Sequence, residues 1–196
     1  MTKPLYKWLT ADDRTAVQRV AWPVAVGEWT NPEKPILCES GWHAMHERDV
    51  LTHLPAGVGA KLWRVEVRGE VVTGDNKIAA ESMRLLYCLG ETTDSNLRLF
   101  TCDVAEDCQP GNAPAESLTA IEVARRFAVG EATREELEAA YWAARSASYS
   151  AAYSAAYWAA RSAAYWTAYS AADSAARSAT YARYSNWLVV RLESGY

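Results

Sequence analysis

The stretch LCESGWHAMHERDVLTH brings Cys38, His43, His46 and His53 together, and its three histidines are all that the chain has. These are the side chains from which metal sites and nucleophilic dyads are made, so their spacing decides what they can do. A zinc site wants close ligand pairs such as CxxC, in which two donors one turn apart face one ion. His43 and His46 are spaced as one such pair, but four residues separate Cys38 from His43 and no second close pair accompanies them. The segment therefore predicts no metal and no cofactor, and its residues read as parts of turns or of the core. A Cys-His nucleophile would need thiolate and imidazole within hydrogen-bond reach, a matter of geometry that spacing leaves open. Cys102 and Cys108 fall off any helical i, i+3 or i+4 pairing and read as small buried apolar side chains. The chain holds no P-loop, GxGxxG, GxSxG or HExxH, and no catalytic residue is assigned.

The second candidate is a repeat. YWAARSASYSAAYSAA (141–156) and YWAARSAAYWTAYSAA (157–172) match at 13 of 16 positions, and DSAARSATYARY follows with the same Ala-Ala-Arg-Ser core. The unit is a tetrad, approximately Ala-Ala-X-[Ser/Trp], with Tyr or Arg commonly at X. Arg145, Arg161 and Arg177 recur at the full repeat, where three cations could meet anionic groups. Tyr149, Tyr153, Tyr165 and Tyr169 stand between them. With Trp158 and Trp166, they could stack on rings or pack against another helix. Alanine is the strongest helix former, and neither glycine nor proline interrupts the run before Gly195, so a helix is expected. At about 100° per residue a tetrad advances the tyrosine column by about 40°, and a repeat by about 160°. The aromatic stripe thus winds, which predicts either one long helix turning around partners or a hairpin of two helices. A β-roll is the minority alternative, because its turns call for residues with positive φ and the repeats carry no glycine.

Charge divides the chain into three zones. Residues 1–92 carry 11 Lys/Arg and 12 Asp/Glu, residues 93–138 carry 4 and 10, and residues 139–187 carry 4 and 1. The chain as a whole, at −4, is not a general nucleic-acid binder. Its four cysteines follow no secretory leader and are expected as reduced thiols in the cytoplasm. The longest uncharged run is rich in hydroxyls and too short to cross a membrane.

The elements that must position these residues follow from local pattern. AKLWRVEVRGEVVTG (60–74) alternates apolar and charged residues, the period of a half-buried strand or hairpin, with Gly69 near a bend. PILCESGWH (35–43) reads as a short strand ending in a turn at Gly41, and HERDVLTHL (46–54) as a short helix. SNLRLFTCDVAEDC (95–108) and AESLTAIEVARRFAVG (115–130) have helical spacing, the second stopping at Gly130. Thr133 and Glu136 form a capping box for the next helix. The expectation is an α+β protein: a small N-terminal α/β domain (1–92), a helical connector (93–138), and an Ala-rich helical repeat (139–192), the last two forming an all-α region.

Three resemblances add to this. LYKWLTAD, ILCESGWHAM and KLWRVEVRGEVVTGDNKIAAESMRLL together resemble an uncharacterised domain family common in phages, prophages and actinobacteria, over nearly all of residues 4–87. That resemblance implies a phage or mobile-element setting. LRLFTCDVAEDC and SLTAIEVARRFAVGEATREELEAAYWAA are similar to immunity proteins proposed for bacterial toxin systems, which implies a binding protein that neutralises a partner. The strict tetrads of the tail depart from that pattern. The order of Tyr6, the GWH turn and a strand bearing Glu66 is similar to ADP-ribosyltransferase-like folds, and would implicate Tyr6, His43 and Glu66 in handling a nicotinamide nucleotide. The combined expectation is a non-enzymatic accessory protein acting in immunity or counter-defence. It would form homo-oligomers through the repeat and bind a protein partner or a nucleotide-like anionic molecule through the repeat residues, Tyr6 and His43. An ADP-ribosyltransferase-like enzyme is the alternative.

Overall fold

The computed structural model describes residues 3–55, 58–107, 114–159 and 182–194, with the backbone alone over 148–159. The chain is mixed α+β. Four strands, β1 (Leu5–Leu9), β2 (Trp42–His46), β3 (Lys61–Thr73) and β4 (Ile78–Glu91), are followed by helices α1 (Asp94–Asp107), α2 (Ala115–Ala128) and α3 (Arg134–Ala159). A last helix, α4, covers 182–194. Two compact units result, one made of Met1–Thr93 with Ala179–Tyr196 and the other of Asp94–Ser178.

In the first unit the strands close into an antiparallel barrel in the order β1-β2-β4-β3. Pairing around the ring is partial, β2 meeting β4 only over Ile78–Ala80 and β1 meeting β3 only over Lys61–Val65. The long β3–β4 hairpin turns at residues 74–77, where Gly74 N–H donates to the Lys77 carbonyl at 2.9 Å. Gly69, expected near a bend, lies in an irregularity of the pairing between Arg68 and Val71 rather than at the turn. Leu9, Ala44, Val65, Ile78, Met83 and Leu85 form the core, with Leu5, Trp22, Trp42, Trp63 and Val67 packed against it. Segment 27–33 runs along β4 as well: Gly27 and Thr30 donate to the carbonyls of Leu85 and Met83, and Glu33 to that of Glu81.

The sequence reading of 35–54 needs two corrections. PILCESGWH is not a strand up to Gly41. Residues 36–40 fold back in a tight turn, Ser40 N–H donating to the Ile36 carbonyl at 3.0 Å, and β2 begins only after Gly41. HERDVLTHL is not an α-helix but two 3-10 turns, Glu47–Asp49 and Leu51–His53. Backbone groups that an α-helix would use internally are taken elsewhere: the Val50 carbonyl accepts from the Trp8 indole at 2.9 Å, and Leu51 N–H donates to Ser185 Oγ at 3.0 Å. Pro55 then blocks further helix.

The tail also divides differently from the expected 139–192 span. Residues 182–194 abandon the Ala-Tyr pattern for a stripe in which Tyr184, Ser185, Leu188, Val189 and Leu192 are buried, the i, i+4 spacing of a docking face. Each fully buried Leu or Val is worth about 2 kcal/mol. Gly90 lets α4 approach β4, since a Cβ there would stand 2.7 Å from the Leu192 carbonyl oxygen. The helix thus belongs with the barrel.

The second unit matches its local signals. Thr133 and Glu136 cap α3 reciprocally, Glu136 N–H donating to Thr133 Oγ1 at 3.2 Å and Thr133 N–H to Glu136 Oε2 at 2.6 Å. Gly130, just past α2, has φ +81°. Arg125 joins α2 to α1 through Asp103 at 2.6 Å and Glu106 at 2.5 Å. The expected repeat begins within α3, which is continuous to Ala159; residues 160–181 lie outside the described residues.

Candidate functional site

β1 begins the site. Leu5, Lys7 and Leu9 fall on one face of the strand, because side chains alternate with period two. Leu9 is in the core and Leu5 packs against it, so Lys7 faces the barrel interior between two leucines. Its residue is only 6% exposed. The ammonium donates to the His43 carbonyl at 2.8 Å and lies 5.6 Å from the Trp22 ring centroid. Trp22 in turn meets Trp42 edge-on at 5.3 Å, and Trp63 sits directly opposite Lys7 in the β1–β3 register. Among the described residues no carboxylate pairs with Lys7. Burial without a counter-charge lowers its pKa from 10.5 to about 8.

Lys7 opens onto a cavity of about 300 Å³ whose walls include Trp8, Trp42 and Met45 from the strands and Thr15–Gln18 from the β1–β2 connection. Cys38, His43, His53, Lys77 and Glu33 supply its ionisable side chains beside Lys7. Each is held locally. Cys38 sits at the tip of the 36–40 turn with φ +66°, and its N–H donates to His43 Nε2 at 3.1 Å. His43 is therefore neutral with its proton on Nδ1. Burial, then Lys7 and Lys77, push its pKa below the ordinary value. His53 Nε2 meets the Asn76 carbonyl at 3.1 Å and so ties the second 3-10 turn to the hairpin loop that carries Lys77. The acid of the group, Glu33, accepts from Gly41 N–H at 3.2 Å. Gly41 has φ +80°, and a Cβ there would stand 2.8 Å from Pro35 Cα and 3.0 Å from the Ala80 carbonyl oxygen.

The cavity wall carries two lysines, Lys7 and Lys77, against one carboxylate, Glu33. Trp22 Nε1 and Trp63 Nε1 are buried with no acceptor near the Lys7 ammonium, but neither residue lines the cavity. A chamber with Trp42 in its wall and two lysine ammonium groups suits a planar molecule bearing an anionic or carbonyl oxygen.

The residues expected from sequence are distributed unevenly around this cavity. His43 and Cys38 line it; His46 does not, and its Nδ1 is buried without a partner. Among the described residues no three His, Cys, Asp or Glu side chains are grouped to hold a metal ion. Tyr6, on the other face of β1, lies under the Arg64 guanidinium at 5.1 Å. Glu66 is on β3, bound to Arg84 at 2.6 Å. Tyr6, His43 and Glu66 are thus not gathered around one cavity. Arg145, on α3, covers the Trp142 ring at 5.2 Å and donates to the Tyr141 hydroxyl at 3.3 Å. Tyr149, Tyr153 and Trp158 lie on α3, while Arg161, Tyr165, Trp166, Tyr169 and Arg177 lie outside the described residues. Sequence reasoning missed Lys7, although its spacing from Leu5 and Leu9 places a cation on an apolar strand face. No described helix is long and apolar enough to cross a membrane. Compared with family models, curated proteins and solved structures, the chain matches none of them.

Proposed function

We propose that the barrel unit is a binding module for a small, planar, anionic molecule of nucleotide-like chemistry. On this reading the chain is a non-enzymatic phage or mobile-element accessory protein, of immunity or counter-defence type, working in the cytoplasm. The observation that carries the binding reading is Lys7: a buried ammonium without a carboxylate partner, facing an aromatic cavity. A protein does not gain stability from an unpaired buried charge. A ligand oxygen would supply the missing counter-charge. The volume is at the small end for such sites, enough for one ring system with one anionic group.

The Ala-Tyr repeat has a separate role in this reading, as a long helical surface through which copies of the chain assemble. Small Ala and Ser side chains permit close helix approach, and Tyr and Trp supply contact area.

Calorimetric titration of the full chain with a panel of mononucleotides at low salt tests the proposal. Binding of one molecule per chain, weakened at least tenfold by Lys7→Met and unchanged by Arg145→Ala, Arg161→Ala and Arg177→Ala together, is expected. No binding, or binding that follows the arginines, refutes it.

A further inference from the structure

We infer that Lys7 is a carbonyl-reactive amine, which condenses with a planar anionic aldehyde or ketone admitted to the barrel cavity. The inference rests on the proposed anion-binding reading of that cavity and names a narrower ligand class for it.

The geometry supplies what imine formation needs. The amine must be reachable, and Lys7 lines the cavity. It must not be locked in an ion pair, and its acceptor is the neutral His43 carbonyl. Its surroundings must favour the uncharged form, and it lies between Leu5 and Leu9, beside Trp22 and across from Trp63. Lys77, on the cavity wall, gives the anionic end of the molecule a cation.

The step balances without an oxidant or reductant. The neutral amine's lone pair forms a C–N bond to the carbonyl carbon, and the carbonyl π pair moves to oxygen, which takes a proton. The carbinolamine then loses that oxygen as water while nitrogen gives up its proton, leaving a C=N bond. With its pKa near 8, about half of the Lys7 side chains are neutral at pH 8, against about 0.3% for a lysine titrating at its ordinary 10.5. That corresponds to an amine enriched roughly 150-fold over exposed lysines.

The experiment is reductive trapping on the full-length protein. Pyridoxal 5′-phosphate serves as the planar anionic aldehyde, sodium cyanoborohydride reduces any imine, and peptide mass spectrometry locates the adducts. Lys7 should be modified at least tenfold faster than Lys3, Lys34, Lys61 and Lys77, and Lys7→Arg should remove that modification alone. Labelling spread over the exposed lysines with Lys7 unmodified overturns the inference, and this is read from the wild-type protein without any variant. Mononucleotide binding with Lys7 unlabelled would sink the imine and leave the anion site standing. Labelling of Lys7 that mononucleotides do not slow would sustain the imine and remove the nucleotide reading.

Discussion

Replacing Lys7 by Met should stabilise the protein at neutral pH and destabilise it at high pH. Lys7 titrates near 8 in the folded chain and at 10.5 when unfolded, so the unfolded chain holds the proton more tightly. The penalty on folding is complete below about pH 8 and is relieved as the pH rises toward 10.5. The difference corresponds to about 3 kcal/mol. Methionine has a similar length and carries no charge, so the variant escapes this penalty. It also leaves the His43 carbonyl without its donor, a pH-independent loss of about 1 kcal/mol. The variant should therefore be more stable than the wild type by about 2 kcal/mol at pH 7, and less stable by about 1 kcal/mol once both lysine states are neutral. Urea unfolding of both proteins at pH 7 and at about pH 11, above the unfolded lysine's 10.5, measures this, because other titrations cancel in the difference. A stability difference that stays the same at the two pH values would refute the argument, since it would mean that Lys7 carries its charge without cost. The stabilised variant should at the same time have lost its ligand, the usual exchange between stability and a strained site.

Three further outcomes can be checked independently. Gly41→Ala should cost at least 2 kcal/mol in thermal unfolding, because its φ is +80° and a Cβ would meet the Pro35 and Ala80 backbones; a variant as stable as the wild type would contradict the described turn. Thr133→Ala removes half of the capping box and should cost about 1 kcal/mol, seen as lost helix signal in circular dichroism on mild heating. His43, with its folded pKa lowered, contributes stability that is present above pH 6.5 and declines as the pH falls below it. Its imidazole resonances should titrate below that ordinary value, and a midpoint above it would contradict the buried neutral ring.

The parts legible in the sequence were those fixed by neighbours. The capping box at Thr133 and Glu136, the stop at Gly130 and the α1 and α2 spans depend on interactions a few residues apart, so residue type alone announces them. β4 was not read because its first residues, Ile78, Ala79 and Ala80, are all buried. A strand covered on both faces loses the polar alternation that marks one. Lys7 was hidden by the same effect, since Tyr6 and Trp8 on the opposite face are buried too. The cavity was less legible still, because its walls come from β1, the β1–β2 connection, β2, a 3-10 turn and the β3–β4 hairpin. Arginines at regular intervals drew attention to the repeat. A lone lysine in a short strand carried no comparable signal.

Because the chain leaves the barrel unit after Thr93 and rejoins it at Ala179, the repeat is spliced into a fold that is completed on its far side. Adding or removing 16-residue copies would take place between two ends that both belong to the barrel unit. The strands and α4 would keep every contact they make with each other. The number of copies in the tail is thus a variable separate from the fold of the unit that carries it.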